Sequence, residues 1–98
     1  MKKLNTAEIQ AGLQQIDSKW EIKENCIHRE IVFKNFVEAF SFMTSVAMLA
    51  EKDNHHPNWK NTYNKVTIAL NTHDADGITH KDFDLAKEID TILSNIVL

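Results

Sequence analysis

Glu51-Lys52-Asp53-Asn54-His55-His56-Pro57 marks where one element ends and another must begin. Proline lacks the N–H that a helix needs, and it presses the residue before it, His56, towards extended backbone. Working backwards, Asn35-Phe36-Val37-Glu38 reads as an N-cap with its reciprocal partner, so a helix is expected from about 36 to 53. Val37, Phe40, Met43, Ala47 and Ala50 fall on or near one face of it, and Phe36, Phe42, Val46 and Leu49 widen that face. The histidine pair therefore sits on the loop leaving a helix. Working forwards, Val66, Ile68 and Leu70 alternate with Lys65, Thr67 and Ala69, which predicts a strand ending near Thr72-His73. Asp74-Ala75-Asp76-Gly77 then makes a turn in which Gly77 is free to take positive φ. Thr79-His80-Lys81-Asp82 caps a last helix, whose inner face carries Phe83, Ala86, Ile89, Leu93 and Ile96 or Val97.

Upstream, Asn5 with Glu8 offers a reciprocal cap to a short helix near 6–15, with Ile9, Leu13 and Ile16 on one face. Trp20 and Ile22 alternate with charged neighbours and predict a first strand. Ile27, Arg29, Ile31 and Phe33 alternate with His28, Glu30 and Val32 and predict a second, with one drier face. The order is α-β-β-α-β-α, with a further short strand expected around Trp59. That is an α+β sandwich with helices on one face of an antiparallel sheet, its strand order left open by the pattern.

Composition narrows the function. The 98 residues make a single domain spanning 1–98, without repeat, low-complexity tract or linker. Net charge is −3 and no run of Lys or Arg forms a stripe, which speaks against direct nucleic-acid binding. The single cysteine, Cys26, excludes an intrachain disulfide and fits a reducing compartment; it is expected to be a small half-buried hydrophobe. Asn5, Thr6, Glu8 and Gln10 interrupt any apolar leader after Lys2-Lys3, and no stretch is long and apolar enough to span a membrane. The expected setting is cytoplasmic.

Three of the five histidines, His55, His56 and His73, fall within nineteen residues. Imidazole titrates near neutral pH, so such a cluster points to proton transfer or to a metal. Two helical ligands of one ion normally stand four apart, and adjacent histidines do not face each other on a helix. The pair is therefore better suited to meeting different edges of an organic ligand, and a three-histidine metal domain is the weaker reading. The bland alternative is solvated loop imidazoles complementing a helix dipole. His28 is expected on a strand face and His80 in the first turn of a helix, neither catalytic. Asp82 fits the capping position better than catalysis. Glu51 is balanced between a helix-surface carboxylate and a partner orienting a histidine. Tyr63 is expected in the core, and Trp59 at the mouth of a pocket.

Read together, Glu51, His55, His56, Pro57, Tyr63, His73 and Asp82 follow a pattern of acidic residue, three positions, His-His-Pro, five positions, aromatic, nine positions, His, then Asp. This resembles the pterin-4a-carbinolamine dehydratases. Phe42-Met43-Thr44, Val46-Ala47, Tyr63-Asn64-Lys65-Val66 and Leu85-Ala86 extend the likeness over nearly the whole chain. Two departures are visible: Asn54 stands where many relatives have Asp, and Lys81 where some have Arg.

The resemblance implies a four-stranded antiparallel sheet with three helices packed on one face. It also implies a lyase that dehydrates 4a-hydroxytetrahydropterin to quinonoid dihydropterin, recycling the pterin of aromatic amino-acid hydroxylases, with no metal or organic cofactor. By that analogy His55 and His73 are the acids serving hydroxyls on opposite ring faces. His56 binds the pterin and helps as base, and Asn54, Asn71, Thr72 and Asp74 line the same pocket. The implied assembly is a homodimer or homotetramer. The alternative is a non-catalytic coactivator module using the apolar helix at 36–50, since animal relatives also stabilise the dimer of a homeodomain transcription factor.

Overall fold

In the computed structural model, which describes residues 2–96 and 98, Asn5 caps the first helix as the sequence predicts. Its side chain accepts from the Glu8 N–H at 2.9 Å, and the Glu8 carboxylate accepts from the Asn5 N–H at 2.9 Å. The elements in order are α1 (Thr6–Leu13), β1 (Glu21–Lys23), β2 (Cys26–Val32), α2 (Phe36–Lys52), β3 (Asn58–Thr62), β4 (Lys65–Leu70) and α3 (His80–Leu93). A short 3-10 turn, His73–Ala75, lies between the last two. The extra strand expected around Trp59 is β3, so the order is α-β-β-α-β-β-α.

The four strands pair antiparallel in the order β1-β2-β4-β3. Period-two alternation decides which face is dry. Ile27 pairs with Leu70, Arg29 with Ile68 and Ile31 with Val66, and all six side chains are buried. Against this face pack Phe42 and Val46 of α2 and Phe83, Ala86 and Ile89 of α3, in one continuous core. Ile9, Leu13 and Ile16, from α1 and the segment after it, add to the rim of that core. Among the described residues no helix is long and apolar enough to cross a membrane.

Several local expectations need correction. The buried face of α2 is Ala39, Phe42, Val46 and Ala50, while Val37 and Phe40 stay 71% and 53% exposed. The helix carries two apolar strips, and the sheet takes the one centred on Phe42. Asn35 does cap α2, accepting from the Glu38 N–H at 2.9 Å, but only that half of the reciprocal cap forms. Gly77 does not take positive φ; Asp76 does, at 55°. Asp tolerates the left-handed region better than most residues, and Gly77 is instead buried against the Lys3 side chain. Tyr63 is no core residue: it sits in the β3–β4 turn at φ 50° and is 63% exposed. Val97 lies outside the described residues.

Candidate active site

The end of α2 places the first histidine. Asp53 closes the helix, and Asn54 follows in the left-handed region at φ 50°. The Asn54 N–H donates to the Glu51 carbonyl at 3.2 Å, and the His55 N–H donates to the Ala50 carbonyl at 3.0 Å. This pair of bonds is the Schellman motif, with Asn54 at its left-handed position and His55 just beyond. Pro57 then releases the chain into β3. His55 is thus fixed by the helix terminus rather than carried on a free loop.

Asp82 takes hold of its ring. The Asp82 carboxylate is fully buried, and one oxygen, Oδ1, lies 2.6 Å from His55 Nε2. The other, Oδ2, accepts from the Thr79 N–H at 2.8 Å and from the Thr72 hydroxyl at 3.0 Å. An ionised carboxylate accepts only, so His55 Nε2 must carry the hydrogen and Nδ1 is left for a ligand. The same logic orders the threonines. The Thr72 hydroxyl hydrogen is already donated in its bond to Asp82, so Thr79 donates across their 2.7 Å contact while accepting from the Lys81 N–H at 3.2 Å. Asp82 is therefore both the cap of α3 and the partner of His55.

His56, largely exposed, makes the looser counterpart. Its Nε2 donates to Glu51 Oε1 at 3.0 Å, one turn back on α2, and again Nδ1 is left free. Glu51 thus orients a histidine, although the pair stands in solvent. His73 arrives from the other side, at the start of the 3-10 turn, exposed and without a side-chain hydrogen bond among the described residues. That turn is pinned at its base by paired bonds between Thr72 and Gly77: Thr72 N–H to the Gly77 carbonyl at 2.8 Å, and Gly77 N–H back at 3.4 Å.

These segments enclose a cavity of about 380 Å³ lined by Asn54, His55, His56, Asn58, Asn71, Thr72, His73, Asp74 and Lys81. The seven pocket residues expected from sequence come together there. Glu51 and Asp82 stand behind the two histidines. Trp59 does not join them: its side chain packs against the core from β3, and the residue borders a separate cavity on the outer face of the sheet. Asn58 and Lys81 are additions. Asn58 was foreseeable, since the first residue of a strand leaving His56-Pro57 must adjoin the pair. Lys81 stood out only as a departure from a pattern. It places a cation at the first turn of α3, on the wall of the cavity.

Elsewhere the chemistry is quieter. Burial pushes the Cys26 thiol up, with Asp82 and Glu24 adding to the shift, so the thiolate is disfavoured. His28 lies on the outer sheet face and His80 is exposed at the first position of α3. Among the described residues no three His, Cys, Asp or Glu side chains are grouped to hold a metal ion.

Comparison with known proteins gives this geometry a context. A family model described as pterin 4 alpha carbinolamine dehydratase matches residues 2–92. A protein of Prochlorococcus marinus (strain MIT 9312) is 63% identical over 73 residues, covering 74% of this chain and 76% of its own length. One from Christiangramia forsetii is 47% identical over 95 residues, 97% of each chain. Both are provisionally named as pterin-4-alpha-carbinolamine dehydratases. The crystal structure of a transcriptional coactivator/pterin dehydratase from Brucella melitensis superposes with a TM-score of 0.89 at 36% identity, covering 93% of this chain and 98% of that one. A pterin dehydratase-like protein described as a RuBisCO assembly factor of the alpha-carboxysome, at 19% identity and a TM-score of 0.63 over 76% of this chain and 88% of its own, shares the fold alone.

Proposed function

The chain belongs to the pterin 4 alpha carbinolamine dehydratase family, and from that premise we propose that it dehydrates 4a-hydroxytetrahydropterin to quinonoid dihydropterin. The observation that carries this reading is the convergence of His55, His56 and His73 on one cavity, with His55 held by a buried carboxylate. The reaction expels the 4a-hydroxyl as water after it gains a proton. N5 loses its proton, and the electrons of that N–H bond become the N5=C4a double bond. The ring nitrogen supplies the push, so the protein needs only an acid and a base near neutral pH.

His55 and His73 approach from different segments and serve as acids for hydroxyls on opposite ring faces. His56 binds the pterin and takes up the N5 proton, with Glu51 holding its ring. Neutral His55 presents a lone pair at Nδ1, and protonated His55 presents a donor there, so one nitrogen can give and regain the proton. Asn54, Asn71, Thr72 and Asp74 supply donors and acceptors for the pterin edge. The cellular role is recycling of the pterin used by aromatic amino-acid hydroxylases, in the cytoplasm.

The reading includes a homodimer or homotetramer, supported by Phe36, Val37, Phe40 and Met48 exposed along α2. The same strip supports a second reading, a protein-interaction module without catalysis, since one relative in structure is described as a transcriptional coactivator as well as a pterin dehydratase. Turnover of freshly prepared 4a-hydroxytetrahydropterin separates the two. The enzyme should accelerate dehydration, and extensive chelation should leave the rate unchanged. No acceleration leaves the interaction module. Loss on chelation that zinc restores points to a metal reaction instead.

A further inference from the structure

A second cavity, of about 400 Å³, lies on the outer face of the sheet, lined by Lys23, Glu24, Cys26, His28, Asn58, Trp59, Lys60, Thr67 and Ala69. Its floor follows from strand register. Ala69 pairs with His28 on one side and Asn58 on the other, so a small side chain sits between two larger ones. Lys60 pairs with the next outward residue, Thr67, and Lys23 pairs with Cys26, which raises walls around that depression.

This cavity adjoins the histidine pocket. Asn58 lines both. At the other seam, Cys26 precedes Ile27 and Asn71 follows Leu70. The Ile27–Leu70 pairing therefore brings a wall residue of each cavity side by side. A ring held by His55, His56 and His73 thus has an open neighbouring space along the sheet. Two lysines face one glutamate there, in a chain whose net charge is −3, and neither lysine makes an ion pair among the described residues. At about 30 Å³ of liquid volume per water the space holds on the order of a dozen waters, room for a chain of comparable atom count.

We infer that the sheet-face cavity is a specificity subsite for the substituent carried by the pterin ring, selecting a long chain that ends in an anion. The inference rests on the dehydratase reading only for the identity of the ring. Asn58 is the hinge between ring and chain, and Lys23 and Lys60 are the anion partners.

Calorimetric titration tests it directly with two product-like probes, 6-methyl-7,8-dihydropterin and a 7,8-dihydropterin whose C6 chain ends in a carboxylate. The wild-type protein should prefer the carboxylate probe by about three- to tenfold, the effect of two exposed lysine–anion pairs. The preference should shrink as salt rises. Lys23→Glu with Lys60→Glu should abolish or reverse it, whereas Lys87→Glu, on α3, should keep it. Equal affinity for both probes in the wild type, or a preference that survives the double reversal, overturns the subsite. Turnover of the 6-methyl carbinolamine separates the two ideas. Turnover without chain preference refutes the subsite alone, and chain preference without turnover upholds the subsite and refutes the dehydratase.

Discussion

Replacing Asp82 by Asn isolates what the buried carboxylate does for His55. The amide keeps the shape but has one acceptor oxygen. Thr79 N–H and Thr72 O–H, at 2.8 and 3.0 Å from Oδ2, will claim that oxygen. The amide nitrogen, a donor, then faces His55 Nε2 across what is a 2.6 Å contact in the native chain. His55 can satisfy it only by accepting at Nε2 and moving its hydrogen to Nδ1, so the neutral ring loses its lone pair towards the cavity. The imidazolium also loses its carboxylate.

Hydrogen bonds to charged groups contribute about 1.5–3 kcal/mol and neutral ones about 0.5–1.5. The folded state should therefore lose about 1–3 kcal/mol, lowering Tm by roughly 5–15 °C in a domain of this size. The protein should still fold at 25 °C, while kcat/KM for dehydration should fall by about 10²–10⁴-fold. Thermal unfolding, steady-state kinetics and the ¹⁵N shifts of the His55 ring read the three effects separately. A folded Asp82→Asn protein with kcat/KM within about threefold of wild type would leave Asp82 as a helix cap only, with no part in setting the His55 tautomer.

Other consequences are equally accessible. Asn54 occupies the left-handed position of the α2 terminus at φ 50°, so Asn54→Gly should unfold within about 0.5 kcal/mol of wild type, whereas Asn54→Val should lose about 1–2 kcal/mol; denaturant titration measures both. Burial, then the neighbouring Asp53 carboxyl, holds Glu88 above the ordinary carboxylate range. Such a group supports the fold while protonated, and that support fades as pH climbs through the raised value. Glu88→Gln should accordingly match wild type in acid and melt higher near neutral pH, and a constant difference across pH would contradict the assignment. Sedimentation at micromolar concentration should show at least a dimer, converted towards monomer by Phe40→Glu. A wild type sedimenting as an 11.3 kDa monomer would remove the interface.

What the sequence made legible was mostly local. The Asn5 and Thr79 caps, the alternation through Ile27–Phe33 and Val66–Leu70, and the break at Pro57 each rest on contacts a few residues apart. Much of the candidate site's lining was legible for the same reason: Asn54, His55 and His56, and Asn71 to Asp74, lie on two short segments within the motif, whereas Asn58 on β3 and Lys81 on α3 join them only through the fold. What stayed hidden depends on distant partners. The breadth of the apolar arc on α2 is readable, but which part of it is buried is decided only when the sheet takes Phe42 and leaves Phe40 exposed. Asp82 reads as a cap because Thr79 is three residues away, while His55, its other partner, is twenty-seven residues away. Tyr63 and Asp76 take left-handed turn positions that composition alone assigns elsewhere.

If three histidines share one dehydration, their division of labour should be readable in the stereochemistry of the substrate. Initial rates should be measured separately on the two 4a-stereoisomers of the carbinolamine, for His55→Ala, His56→Ala, His73→Ala and the control His80→Ala. His73→Ala should depress one stereoisomer by about 10²-fold or more. His55→Ala should depress mainly the other, His56→Ala both, and His80→Ala neither. Equal and mild losses across all four variants, on both stereoisomers, would contradict it.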